Sequence, residues 1–121
     1  MNLFFGEHPS KWNIALSLLT GLILAGVAVI LQQPLAWNGI VTAVLAADIG
    51  AGLISNASKE TNDVWKNESR SRQWVFVIFH LTVYPAAIIL LSQSAVVTIL
   101  LVGLLLVKTG LFYSRVMSTA R

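Results

Sequence analysis

The sequence predicts an all-α integral membrane protein whose four transmembrane helices form two antiparallel hairpins, the second span extended into the cytoplasm. Three observations carry that expectation. Hydrophobic residues make up 56% of the 121 and charged ones only 11%, with a mean hydropathy of +0.77, which is too apolar for a soluble domain whose surface must meet water. The apolar residues fall into four runs, each matching the ~20 residues of helix that cross a bilayer core. Short polar turns, Gln32-Gln33-Pro34 and Ser92-Gln93-Ser94, separate the paired runs and leave room only for antiparallel neighbours.

Each element has its own signature. Residues 1–11 mix Leu3, Phe4 and Phe5 with Glu7, His8 and Lys11, and Pro9 interrupts any helix there, so this segment reads as an interfacial anchor. The first span, about 12–31, contains an apolar run longer than the ~7–15 residue core of a cleaved signal, which favours its retention. Ser17, Gly21 and Ala25 recur on it at four-residue steps. On the second span, about 35–55, Ala43, Ala47, Ala51 and Ser55 do the same, and two such strips permit close backbone approach. The third span, about 73–91, carries Pro85, which frees the carbonyl of Leu81 and favours a kink. Over 96–107 the fourth span, about 95–113, is aliphatic except for Thr98 and Gly103, which suits a face turned to lipid or to a second copy. A homodimer is expected on that ground. The whole chain, 1–121, reads as one domain, with 56–72 as a cytoplasmic connection.

Charge placement orients the threading. Lys11, Lys59, Lys66, Arg70, Arg72, Arg115 and Arg121 all fall on one side, and neither short turn carries a charge. The positive-inside rule then puts both termini and the connection in the cytoplasm, in a plasma membrane. Trp12, Trp65, Trp74 and Tyr113 lie near that interface and Trp37 near the opposite one, as an aromatic belt requires. On the cytoplasmic side the acceptor patterns at Asn56-Ala57-Ser58 and Asn67-Glu68-Ser69 never meet the glycosylation machinery.

Several function classes are excluded. With no cysteine there is no disulfide framework, thiolate zinc site or thiol redox chemistry. The net charge of +3 comes from scattered flanking residues, not from a run that tracks phosphates, so nucleic acid is not a partner. No Gly-rich phosphate loop, HExxH or paired-carboxylate motif occurs, and no catalytic residue is assigned.

What the spans do contain is an ionisable layer. Asp48, His80 and Lys108 lie seven, six and five residues inward of Ser55, Trp74 and Tyr113. At ~1.5 Å per residue all three are roughly 8–11 Å deep, so one transverse layer can hold them. A charge exposed to lipid there costs ~2–3 kcal/mol or more, which turns each side chain inward to a partner. Asp48 and Lys108 can neutralise each other, while His80 can donate to Asp48 and belongs to the residue type that titrates near neutrality. Tyr84, four residues after His80, shares its helical face. Alternatively, the long stem of Lys108 can snorkel to the headgroups.

From Asp48 outward, Gly52, Ser55, Asn56, Lys59, Asn62 and Asp63 recur at three- and four-residue steps, so a continued helix presents a polar stripe leading to the buried carboxylate. This is an access route in outline. Its oxygens suit a hard cation, but the spacing matches no metal signature, and neither a metal nor a cofactor is expected. The outer half of the membrane offers little beyond Thr42 and Thr98, which weakens a path across one protomer and favours a cytoplasm-facing pocket. The function expected is proton-responsive transport, or binding of a small-molecule or lipid-derived ligand, in the lipid bilayer. A structural or accessory subunit is one alternative. An interfacial enzyme acting on a lipid headgroup, with His80 as acid or base, Asp48 orienting it and Lys108 holding an anionic group, is another.

Overall fold

A computed structural model describes residues 11–117, and the interfacial segment expected ahead of them lies outside the described residues. Every described element is helical: α1 (Lys11–Leu31), α2 (Trp37–Ala57), α3 (Lys59–Lys66), α4 (Arg70–Leu81), α5 (Val83–Leu91), α6 (Ala95–Phe112) and a π-helical turn, Tyr113–Met117. Four stretches are long and apolar enough to cross a membrane: α1, α2, α4 with α5, and α6 with its π turn.

Serines punctuate the chain. The Ser58, Ser69 and Ser94 side chains accept from the backbone N–H of Thr61, Arg72 and Val97, which caps α3, α4 and α6; such caps contribute ~1 kcal/mol each. Ser58 corrects one expectation. Its extended backbone ends α2 at Ala57, so the second span does not run on as one helix and α3 sets off separately. The kink expected at Pro85 is realised three residues earlier. Thr82 leaves helical geometry (φ −124°, ψ −66°), close to the Leu81 carbonyl that the proline ring crowds and leaves without its helical donor.

α1 and α2 meet backbone to backbone. A Cβ on Gly21 would stand 2.7 Å from the Ala47 carbonyl oxygen, and one on Gly50 2.9 Å from that of Thr20, so only glycine permits this approach. Ser17, Gly21, Ala43, Ala51 and Ser55 are buried in or beside that seam. α6 departs from the lipid-facing reading. Val97, Leu101, Leu105, Lys108 and Phe112, spaced by three or four, are all buried, while Val96, Ile99, Leu106 and Val107 point outward. One side of this helix is therefore a core face, and the ground for a second copy covering it is removed on that side.

Two apolar clusters result, one around Ala46, Ile49, Ile88, Leu101 and Leu105, the other around Trp65, Val77, Phe112, Val116 and Met117. At the turn end the molecule is tied by amides. The Gln32 side chain donates to Ala28 and Gly39 carbonyls (3.0 and 3.1 Å) and accepts from the Gln93 backbone N–H (2.9 Å). The Gln93 side chain accepts from Ala36 N–H and donates to the Pro34 carbonyl, both at 2.9 Å, and Asn38 donates to the Leu91 carbonyl at 2.9 Å. Each turn thus satisfies the other's backbone.

Candidate functional site

Lys108 lies on α6 between the two apolar clusters, only 4% exposed. Its stem crosses the bare backbone of Gly52, where a Cβ would stand 2.6 Å from Nζ. The ammonium ends 2.9 Å from His80 Nε2. It does not snorkel.

The other ring nitrogen of His80 settles the tautomer. Nδ1 lies 2.7 Å from the Phe76 carbonyl oxygen one turn back, and a carbonyl only accepts, so Nδ1 carries the hydrogen. Nε2 therefore offers a lone pair, and the Lys108 ammonium donates to it. Both imidazole nitrogens are occupied, which rules out in this arrangement the expected donation from His80 to Asp48.

Aromatic rings frame the pair. Phe76, His80 and Tyr84 follow one another at four-residue steps, with Phe76 stacked on His80 (centroids 4.0 Å, 19°) and His80 against Tyr84 (4.7 Å). Lys108 Nζ is 5.8 Å from the Phe76 centroid and 5.9 Å from that of Tyr84, close enough for the quadrupoles of both rings to attract it. Asp48 completes the group from α2. Its carboxylate is near enough for its charge to act on Tyr84, His80 and Lys108. Among the described residues no ion pair within 4 Å joins it to Lys108. The expected direct neutralisation is thus replaced by a longer-range one, with His80 taking the place beside the ammonium.

The three residues expected to form one layer, Asp48, His80 and Lys108, do lie together, and Tyr84 joins them from one turn beyond His80. The stripe does not serve as a route to them. Ser55, Asn56 and Asn62 are buried, Ser55 and Thr61 hydroxyls meet at 3.1 Å, and Asp63 is half-exposed. The cause is the break at Ser58, which folds α3 back over the end of the bundle. Gln73 donates to the Trp65 carbonyl (2.8 Å), holding α3 there, and Arg115 donates to the carbonyl of Ala57 at the end of α2 (3.0 Å). Trp65 then closes edge-on against Phe76 and Phe112, themselves stacked at 3.9 Å. This roof stands between the charged group and the end of the bundle where α4 begins and the π-helical turn finishes.

The opening is lateral instead. A groove of about 560 Å³ runs along the outer side of α4 and α5, with Phe76, His80 and Tyr84 among its lining residues, exposed Val75, Phe79 and Val83 along it, and Arg72 and Trp65 toward one end. Sequence reasoning missed Phe76, although its four-residue step to His80 was visible, and took Gly52 for a member of a polar stripe. No three His, Asp or Glu side chains among the described residues converge as metal ligands would. Comparison with known protein families, with curated proteins and with solved structures finds no match.

Proposed function

We propose that this chain is an integral protein of the plasma membrane, inserted as two antiparallel helical hairpins with both termini and α3 cytoplasmic, and that it binds a lipid-derived ligand at a proton-responsive site. The observation that carries this reading is the Lys108 ammonium held 2.9 Å from a neutral, titratable imidazole beside a groove open to the side. The charges in the group balance. Asp48 contributes one negative charge and Lys108 one positive, so the cluster is neutral while His80 is neutral.

A second proton has one place to go, Nε2, and it turns that nitrogen from acceptor to donor. Two cations then face each other and Lys108 is displaced. His80 lines the groove, so its protonation puts a positive charge in the groove wall. A ligand whose head carries negatively charged oxygen favours that protonated state. By linkage its affinity rises as pH falls. The amide-locked turns at one end and the aromatic roof at the other support entry from the bilayer over passage through the protomer.

The test is binding of a fluorescently tagged lysophosphatidylcholine, whose own charge is constant across pH ~3–8, a range that covers and extends below the window in which an unperturbed histidine changes charge. Binding to the reconstituted protein is expected to strengthen on acidification, and His80→Gln and Asp48→Asn, both still helical by circular dichroism, should flatten that dependence. Binding independent of pH, or lost only where the variants unfold, overturns the reading in favour of a structural role for the cluster.

A further inference from the structure

We propose that the groove along α4 and α5 is a track for one acyl chain of an anionic phospholipid whose phosphate pairs with Arg72, an inference that rests on the membrane reading above and gives its ligand a chemical class. Arg72 and Tyr84 are twelve residues apart on one bent helix, ~18 Å at ~1.5 Å per residue. The groove therefore runs lengthwise, from an exposed guanidinium to the apolar middle of the span. A cation lines it toward one end, and Val75, Phe79 and Val83 line its length. That polarity fits an amphiphile with a negative head; a soluble anion would leave the apolar length unused. A volume of about 560 Å³ lies within the ~300–1,000 Å³ usual for ligand pockets.

Other nearby arginines are committed to the backbone. Arg70 donates to the Met117 carbonyl at 3.1 Å and Arg115 to that of Ala57 at 3.0 Å. Arg72 instead makes a surface pair with Glu68 at 2.8 Å, its own side chain 68% exposed. Such pairs are weak and screened. A phosphate that accepts two parallel N–H bonds is the better partner for a planar fork of donors.

The experiment reads tryptophan quenching in full-length protein reconstituted into phosphatidylcholine vesicles that contain brominated phosphatidylglycerol or, in parallel, brominated phosphatidylcholine. Two variants are compared, one keeping only Trp65, which lines the groove, and one keeping only Trp37, which is exposed at the turn end. Trp65 should reach half-quenching at a mole fraction of the anionic lipid at least ~3-fold lower than of the zwitterionic one, the scale expected of one arginine at an anionic surface. Arg72→Gln should erase that difference and Lys66→Gln, which removes an exposed charge on the same side, should keep it; Trp37 should respond to both lipids alike. Equal quenching of Trp65 by the two lipids overturns the proposal, as does an equal loss of preference in Lys66→Gln. Protection of Trp65 that grows with protein density also overturns it, because a second copy then occupies the groove. If Trp37 is quenched and Trp65 is not, the groove fails while insertion stands; if neither is quenched, both fail.

Discussion

Replacing Gly52 by alanine sets two effects of opposite sign against each other, and the geometry at Lys108 decides between them. In a helix interior, Gly→Ala stabilises by about 1 kcal/mol through backbone entropy. Here the added Cβ stands 2.6 Å from Lys108 Nζ, whereas ordinary contact begins at 3.4 Å, so the ammonium must shift by at least ~0.8 Å. It starts 2.9 Å from His80 Nε2, and moving that far away takes the bond beyond the ~3.2 Å limit of good geometry. A buried hydrogen bond to a charged group is worth ~1.5–3 kcal/mol. The net expectation is destabilisation by ~0.5–2 kcal/mol.

In a Lys108→Ala background the obstacle is absent, and the same change should stabilise by up to ~1 kcal/mol. A change of sign between the two backgrounds is what unfolding in mixed micelles of rising dodecyl sulfate content, followed by circular dichroism, should reveal. If Gly52→Ala stabilises both backgrounds alike, Lys108 does not lie across α2 and the site as described is wrong.

Three further outcomes are expected. In double-mutant cycles, His80→Phe with Lys108→Met should couple by at least ~0.5 kcal/mol, the range for residues in contact, and more strongly than Asp48→Asn with Lys108→Met; the reverse order would restore a direct Asp48–Lys108 pair. Gln32→Ala removes three hydrogen bonds at a buried position and should cost ~1–3 kcal/mol in the same unfolding assay, so a neutral result would mean that the two turns are not mutually held. Because the chain has no cysteine, a single thiol reports topology: at Gln33 it should react with an impermeant reagent from outside the cell and at Lys66 only after permeabilisation, and the opposite pattern inverts the proposed orientation.

Depth was legible in the sequence and contact was not. The rise of a helix is fixed, so counting inward put Asp48, His80 and Lys108 at one level without further information. Which of them touch depends on helix rotation, and α6 hides its rotation because aliphatic residues surround it on every side: Leu105 is buried and Leu106 exposed, yet the two are chemically alike. The tautomer of His80 depends on a backbone carbonyl, which no pattern of side chains announces. Ser58 carried two signals at once. The stripe of helical period runs past it on both sides, and Ser58 itself stands three residues before Thr61 as a helix-capping serine does; the cap prevailed, and Ser55, Asn56 and Asn62 were folded into the interior. Gln32 and Gln93 were legible only as members of short polar turns, and that turns this short satisfy one another's backbone is not written in either turn alone.

The bent third span links these features. A straight helix over Arg70–Leu91 would stack Phe76, His80 and Tyr84 in one row, and Pro85 would press against the Leu81 carbonyl. Bending at Thr82 relieves that pressure where the row passes Lys108, so His80 keeps its bond to Phe76 on one side of the bend while Tyr84 reaches toward Asp48 from the other. The acid and the two bases are thereby held by different segments, α2, α4 and α6, with the start of α5 between them. A proton added to His80 acts on all of these contacts at once, because it breaks the bond to Lys108 without touching the one to Phe76. The group displaced is the ammonium, which has Asp48 within electrostatic reach, and the wall of the groove gains a positive charge at His80. On the proposed reading, the switch needs no movement of the helices themselves: one side chain shifts across a glycine, and the charge on the groove changes with it.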